Sequence, residues 1–371
     1  MPAPLPTCHQ EDLTILAKKQ SYPLEAMADL PGLSFAPMRA MVLAEAGRHG
    51  LPVVEDDPGR LTVRTAHGLV GLRDGEGAAG VAAMVAAADA RWLFILKDGL
   101  VTQLAQAMPE AAQGLRWSDA AAGGTPPNFQ FARVVSVEPL GSAFLRVQLF
   151  PEDLSRFGDE AIHFRLVLAP PGLADVAWPS VGANGAVVWP SGDKALHRPV
   201  YTTRRIDRAA RLMEFDIFLH EGGRVSDWAR GATARTVVGL TGPGGGGIPD
   251  TTCIVMFADE TGFPAVARIL EALPAGTEGE VTLLAEAGAA CGYPMAPPPG
   301  VVLRWLSPRD GLALDVAAME AHRAHPDHFL WFAGERTAAM AARAGFKAAG
   351  GDPARAYISA YWRAPYSAAA S

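Results

Sequence analysis

His197-Arg198-Pro199-Val200-Tyr201-Thr202-Thr203-Arg204 reads as a β-strand, and the rest of the chain is interpreted from it. Alternate side chains of a strand share a face. Arg198, Val200 and Thr202 therefore fall on one face, Tyr201 and Thr203 on the other. A strand that offers a guanidinium, a flat ring and a hydroxyl suits a planar ligand carrying phosphate. Arginine forks onto phosphate oxygens, tyrosine stacks on a planar ring, and a threonine hydroxyl exchanges a hydrogen bond with a ring nitrogen. The same three residue types are also ordinary strand formers, so the flanking segments must decide between a ligand site and plain sheet.

Around it, short apolar runs recur: Phe129 to Val137, Phe144 to Leu149, His163 to Leu168, Leu212 to His220 and Thr236 to Leu240. Turns rich in Gly, Pro and Asp part them. With Pro199 to Arg204 they make six strands and no long helix, which predicts a small antiparallel barrel over 128–247. From Thr252 the pattern changes. Cys253-Ile-Val-Met-Phe-Ala258 is unbroken apolar sequence, the mark of a strand buried on both faces. Helical runs at Pro264 to Leu273, Leu312 to Arg323 and Thr337 to Ala349 alternate with strands at Glu280 to Ala285, Val301 to Leu306, Phe329 to Ala333 and Ala356 to Ser359. This alternation predicts a parallel sheet covered by helices over 248–371. Such sheets bind ligands beyond the carboxyl ends of their strands.

Upstream, residues 1–36 read as a Pro-rich arm. Pro37 to Ala46 predicts a helix, and Leu61 to Thr65 with Gly68 to Arg73 a hairpin. Ala78 to Ala90 and Trp92 to Ala107 read as helices, the second interrupted near Asp98-Gly99. Together they predict a small α+β domain over 37–119, with no motif that carries chemistry. Ala120 to Pro127 is a linker by composition. The expected fold class is thus multidomain: small α+β domain, antiparallel barrel, then α/β domain.

Composition narrows the function. With 32 basic against 39 acidic residues the formal charge is −7, which argues against a nucleic-acid binder. Cys8, Cys253 and Cys291 are scattered without a CxxC pair, so neither a zinc or iron–sulfur site nor a disulfide framework is expected, in keeping with a reducing cytoplasm. No basic start precedes an apolar core as in a signal peptide. The longest apolar region, Ala78 to Leu96, is broken by Asp89 and Arg91, so no membrane span is expected. His322, His325 and His328 invite a metal, but Pro326, between the last two, breaks any helix that would align them.

Several other motifs bear on the ligand. Gly222-Gly-Arg-Val-Ser226 follows a predicted strand and opens a short helix. Helix-start N–H groups and a serine hydroxyl hold a diphosphate well; the alternative is a simple turn with Ser226 as N-cap. Gly242-Pro-Gly-Gly-Gly-Gly247 spells GxGxxG, but a strand follows it instead of a helix. It reads as a flexible connection between barrel and sheet. Asp259-Glu260-Thr261 lies after the first buried strand, where a dinucleotide crosses a sheet edge; helix capping by Asp259 or Thr261 is compatible with that role. Ala333-Gly334-Glu335 holds the equivalent place after a later strand. Tyr361 and Trp362 either cover a flat ligand or plug a domain interface.

Arg198-Pro-Val-Tyr201-Thr202 resembles the Arg-x-Tyr-Ser/Thr flavin signature of the ferredoxin reductase-like superfamily. The wider pattern is closer to the siderophore-interacting proteins. It runs through Ala161 to Leu168, Trp178-Pro, Asn184-Gly185, Val188-Trp189-Pro190, His197 to Arg204, Asp216 to His220 and Ser226-Asp-Trp228. It resumes at Asp259 to Thr261, Ala333 to Glu335 and Tyr357 to Arg363. The N-terminal third resembles, more loosely, a small domain of unknown function that often precedes this module. The resemblance implies FAD on the barrel, with contacts from Arg198, Val200, Tyr201, Thr202, His220, Val225 and Ser226. His220 is equally the end of a strand. The resemblance also implies a nicotinamide dinucleotide near Asp259, Glu260, Thr261 and Glu335, with Tyr361 and Trp362 close by. Ala258 stands where the family has Gly, and Gly262-Phe263 where it has Ala-Leu.

The expected activity is then electron transfer from NADH or NADPH through FAD to a ferric siderophore or other ferric chelate, releasing Fe(II). No catalytic acid or base is required, because the flavin carries the chemistry. Two alternatives stay open: a flavin reductase serving a protein or free-flavin acceptor, and a non-catalytic flavin or siderophore carrier. Glu286, after the second strand of the sheet, leans the expectation toward NADH. An acid there binds ribose hydroxyls and repels a 2′-phosphate, and the next basic residue in sequence is Arg304.

Overall fold

The structure is a computed structural model that describes residues 22–75, 80–119, 122–173 and 175–364. It divides into two compact units. One holds the N-terminal third together with Ala169–His197, and the other holds Gln130–Leu168 and the chain from Arg198 onward.

The first unit contains a five-stranded antiparallel sheet of β1 (Leu24–Leu30), β2 (Val53–Asp57), β3 (Arg60–Arg64), β4 (Gly68–Asp74) and β5 (Val81–Ala87), in the order β1-β5-β4-β3-β2. Helices α1 (Phe35–His49), α2 (Ala90–Ala107) and α3 (Pro109–Gly114) accompany it. Three expectations are corrected here. Residues 24–30, expected in an arm, form β1, whose Ala26, Ala28 and Leu30 alternate into the core; residues 1–21 lie outside the described residues. The helix expected from Ala78 is the strand β5. Its alanines favour a helix locally, but it lies between β1 and β4, and Val81, Ala83 and Val85 fill the core. Long-range pairing overrides the local preference. The expected break at Asp98-Gly99 is also absent, since α2 is continuous there.

The second unit begins with a seven-stranded antiparallel sheet. Its strands are β6 (Phe129–Leu140), β7 (Phe144–Pro151), β8 (His163–Val167), β11 (Val200–Thr202), β12 (Arg205–Asp207), β13 (Leu212–Phe218) and β14 (Val237–Gly244). The order is β11-β8-β14-β6-β7-β13-β12, so the two edges belong to nearly continuous chain. Thr203 N–H donates to Ile162 on one side, and Arg204 N–H to Glu214 on the other, at 2.8 and 2.7 Å. The opening stretch therefore closes the sheet into a barrel. The expected six strands become seven because β11 ends at Thr202 and a further short strand, β12, begins at Arg205, just past the opening stretch.

The same unit ends in a parallel sheet of β15 (Cys253–Asp259), β16 (Glu278–Leu284), β17 (Gly300–Leu306), β18 (Phe329–Glu335) and β19 (Ala356–Trp362), in the order β17-β16-β15-β18-β19. All pairings are parallel. Strand β15 is buried throughout, and alternation assigns its two faces. Ile254, Met256 and Ala258 pack with α5 (Phe263–Ala272), while Val255 and Phe257 pack with α6 (Leu314–Ala324) and α7 (Arg336–Ala348). Strand order reverses between β15 and β18. That is the switch point at which doubly wound sheets open a crevice for a ligand.

The connection from β8 to β11 carries a small hairpin, β9 (Ser180–Val181) and β10 (Val187–Val188), that belongs to the first unit. Asn184 donates to Ala112 O at 2.9 Å, and Asp98 accepts from Val187 N–H at 2.8 Å. The segment expected as a linker pairs with it: Gly123 N–H donates to Val181 O and Val181 N–H to Gly124 O. Gly185 has φ +76°, and a Cβ there would come within 2.7 Å of the Trp117 ring. Gly185→Val is therefore expected to lift the hairpin from Trp117. Limited proteolysis should then cut within 175–197 at a protease level that leaves the wild type intact; an unchanged digestion pattern would contradict this anchoring.

Candidate functional site

Strand β11 pairs with β8 so that Val200 faces Arg165, Tyr201 faces Phe164 and Thr202 faces His163. The face shared by Val200 and Arg165 is open, with Val200 54% exposed. Arg198 is exposed just before it, and Arg165 Nη1 donates to Arg198 O at 3.1 Å. Burial and the adjacent Arg165 cation lower the Arg198 pKa. An anion between two guanidiniums relieves this mutual repulsion. Farther along the same face, Thr202 is buried, its hydroxyl 3.3 Å from His163 Nδ1. The opposite face is barrel core. The half-buried Tyr201 ring lies 5.1 Å from that of Phe215, tilted 58°, and burial raises its phenol pKa.

After β13, Gly223 is the N-cap of α4 (Arg224–Gly231), and no side chain caps this helix. The first N–H groups of a helix have no intrahelical acceptor. Ser226, expected as a possible N-cap, lies inside the first turn instead. It is 1% exposed, and its Oγ has no hydrogen-bond partner among the described residues. A Cβ on Gly223 would come within 2.7 Å of the His220 ring and 3.0 Å of Ser226 Oγ. Val225 is buried beside them, and His220 is exposed with Nδ1 3.2 Å from Glu221 O. Unspent N–H groups, an orphaned hydroxyl and a backbone kept bare by glycine fit the diphosphate of FAD.

At the sheet's switch point, Asp259 ends β15. Its Oδ1 accepts from Thr261 N–H at 3.0 Å and from the Thr261 hydroxyl at 2.5 Å; its Oδ2 accepts from Trp362 Nε1 at 2.7 Å. The capping role read from sequence is therefore present, and Trp362 joins it from β19. Burial raises the pKa of Asp259 and of Glu260. Glu260 accepts from Glu286 N–H at 2.9 Å. Glu335 ends β18, where it accepts from Thr337 and Ala364 N–H groups. Of the two C-terminal aromatics, Tyr361 packs inward, its ring 6.1 Å from Trp331, while Trp362 remains 43% exposed.

Two sequence expectations change. The lean toward NADH loses its basis, because Arg309, from the loop after β17, places Nη2 3.0 Å from Glu286 Oε1. This cation is 23 residues away in sequence and adjacent in space, so the acid no longer stands alone against a 2′-phosphate. The Gly242–Gly247 run does connect barrel and sheet, but it is closely packed. A Cβ on Gly245 would meet His163 at 2.5 Å, one on Gly246 would meet Tyr357 at 2.5 Å, and one on Gly247 would meet Asp159 O at 2.3 Å. Sequence places His163 and Asp216 only within longer stretches, and singles out neither His163 nor the group of Arg146, Asp216 and Tyr293 as interacting side chains. Only the density of glycines hinted that large rings press on that backbone.

The second unit thus joins a closed antiparallel barrel to a parallel sheet whose strand order reverses at its first strand. Residues 133–247 match the siderophore-interacting FAD-binding domain, and residues 251–365 match the siderophore-interacting protein domain. The chain is 30% identical over 245 residues to the NADPH-dependent ferric-chelate reductase of Escherichia coli, covering 64% of this chain and 93% of that one. It is 29% identical over 183 residues to the ferric vibriobactin reductase of Vibrio cholerae, covering 47% and 65%. A siderophore utilization protein from T. fusca superposes with TM-score 0.51 at 27% identity, over 67% of this chain and 97% of that one. The siderophore-interacting protein of Aeromonas hydrophila shares the fold, with TM-score 0.54 at 22% identity over 65% and 93%. The chain belongs to the siderophore-interacting protein family. Neither family domain extends into the N-terminal third.

Proposed function

We propose that this protein is an FAD-dependent reductase that draws reducing equivalents from NAD(P)H and delivers electrons to a ferric siderophore or similar ferric chelate. The observation that carries the reading is the start of α4, where a buried Ser226 hydroxyl with no partner among the described residues meets unspent helix N–H groups beside a bare Gly223. Family membership and the ferric-chelate and ferric vibriobactin reductases among the relatives support the acceptor class. Bound FAD supplies the change from two-electron to one-electron chemistry. In this reading the chain's own residues bind and orient. Arg198, Val225 and Ser226 hold the diphosphate end, with His220 near the flavin. Val200 and Thr202 line the ring, and Tyr201, on the barrel-core side against Phe215, backs the strand that carries them. Asp259, Glu260, Thr261 and Glu335 line the nicotinamide dinucleotide's path, beside Tyr361 and Trp362. Among the described residues no helix is long and apolar enough to cross a membrane.

The test is anaerobic mixing of the flavin-loaded protein with NADH or NADPH, followed by ferric siderophore. Bleaching of the oxidised flavin bands, then their recovery with Fe(II) release, is expected. A spectrum unmoved by either nucleotide overturns the reductase and favours a carrier. Recovery only with free flavin or a protein acceptor favours a flavin reductase. We further propose NADPH as the donor, with Arg309 reaching its 2′-phosphate; the relative named for NADPH supports this. Arg309→Ala should raise KM for NADPH about tenfold, the worth of one charge-assisted hydrogen bond, and leave KM for NADH nearly unchanged. Equal effects on both nucleotides would remove Arg309 from this role.

A further inference from the structure

His163 is 6% exposed on β8, at the place where barrel and parallel sheet meet. Its two ring nitrogens face hydroxyls from two different parts of the unit. Nδ1 lies 3.3 Å from Thr202 Oγ1 on β11, and Nε2 lies 3.0 Å from Tyr361 OH and 3.5 Å from Tyr357 OH on β19. The ring is held by shape as well. Tyr357 lies nearly parallel to it at 6.5 Å, Tyr361 meets it edge-on at 5.3 Å, and Gly245 leaves the room it needs. Burial, reinforced by the Arg268 cation, lowers the imidazole pKa to about 4. At neutral pH the ring is therefore uncharged, with one nitrogen donating and the other accepting.

That state couples the two hydroxyls. When Nδ1–H donates to Thr202, Nε2 must accept from Tyr361, and the Thr202 proton is free to point elsewhere. When Thr202 donates to Nδ1, Nε2–H donates to Tyr361, and Thr202 keeps a lone pair to offer. The hydroxyl in the flavin-type motif is thus polarised by a tyrosine on the last strand.

We propose that His163 is a positioning residue that joins β11 to β19 and sets the hydrogen-bond direction of Thr202 from Tyr361. The inference rests on the reading of β11 as part of the FAD site, and adds His163 to the residues that reading names.

The experiment titrates flavin-free protein with FAD and measures the midpoint potential of the bound flavin. The variants are His163→Phe, His163→Gln and Tyr361→Phe, with Arg198→Ala as a separate arm. His163→Phe keeps a ring of similar size without either hydrogen bond, and should weaken FAD binding by about tenfold, as for one buried hydrogen bond lost. His163→Gln retains a donor and an acceptor and should recover most of that loss. Tyr361→Phe removes only the outer hydroxyl, so it should fold and bind FAD while shifting the midpoint potential. Wild-type affinity and potential in both Tyr361→Phe and His163→Phe would overturn the proposal. If His163→Phe fails to fold, an unshifted potential in Tyr361→Phe suffices to overturn it. Should Arg198→Ala lose FAD while these variants behave as wild type, the inference fails and the flavin reading stands. If wild-type protein takes up no FAD, both fall together.

Discussion

Asp216→Ala is expected to cost about 3–5 kcal/mol of stability, the range for breaking a buried ion pair from one side. The Asp216 residue is 2% exposed. Its Oδ1 and Oδ2 accept from Arg146 at 2.8 Å each, and Oδ2 also accepts from the Tyr293 hydroxyl at 2.5 Å. Its hydrogen bond to Arg146 holds that guanidinium more firmly protonated than usual. Burial, then the charge of Asp216, pushes the Tyr293 phenol well above its ordinary pKa. Truncation at 216 leaves a cation and a phenol facing each other without their shared acceptor. The damage spreads because Asp216 and Arg146 are on adjacent barrel strands, while Tyr293 follows β16 of the parallel sheet and packs on Phe144 and Phe263. Denaturant unfolding of wild type, Asp216→Ala and Asp216→Ala with Arg146→Met measures the effect. The second substitution should recover part of the loss, since it removes a cation left with only Glu214, 3.8 Å away, as its acid partner. A loss below about 1 kcal/mol in the single variant would mean that water replaces the carboxylate, contrary to a buried pair.

The barrel and the parallel sheet were legible in the sequence because their signals are local. The unbroken apolar run at 253–258 reports burial on both faces, and β15 has both. Alternation around Tyr201 also reads correctly. Tyr201 and Thr203 lie on the barrel-core side, where Tyr201 meets Phe215 and the Thr203 hydroxyl lies 3.9 Å from Met213 sulfur. The N-terminal strands were less legible. The alanines of β5 carry a helical preference that only pairing with β1 and β4 reverses, and β1 has a weak apolar pattern at a sheet edge. Charge pairing across loops was not legible at all. Arg309 reaches Glu286 only after a Ser307-Pro-Arg-Asp310 turn folds back with its capping box. The glycine run misled for a related reason. Glycine marks flexibility and close packing alike, and only the rings of His163 and Tyr357 decide between them. Thr202 shows the same limit at the site itself. Its residue type suited a flavin contact, but its buried hydroxyl partner comes from β8, nearly forty residues upstream.

Arg198→Ala is expected to lower FAD affinity by about 10–100-fold, the worth of a charge-assisted contact of roughly 1.5–3 kcal/mol. The effect should fall on binding and leave folding nearly untouched. Arg198 is exposed, precedes β11, and contributes its carbonyl to Arg165 through the backbone, which alanine preserves. What alanine removes is one of two neighbouring cations. Their mutual repulsion lowers the Arg198 pKa after burial has done so, and relieving it slightly favours the unliganded protein. An anionic diphosphate between them is stabilised by both, so its loss of affinity carries the full contact. Arg198→Lys keeps the charge and loses the planar fork, and should fall between wild type and alanine. Titration of flavin-free protein with FAD, followed by quenching of flavin fluorescence, gives the three dissociation constants, and thermal unfolding of the flavin-free forms gives the control. Equal affinities for wild type and Arg198→Ala, within about twofold, would place the diphosphate elsewhere on the barrel. A parallel drop in unfolding temperature of the flavin-free variant would instead make Arg198 a structural residue. The combination that supports the assignment is a large change in affinity at constant stability. Raised salt should narrow the gap between wild type and Arg198→Ala, since screening weakens an exposed charge contact and leaves the N–H groups of α4 largely as they are.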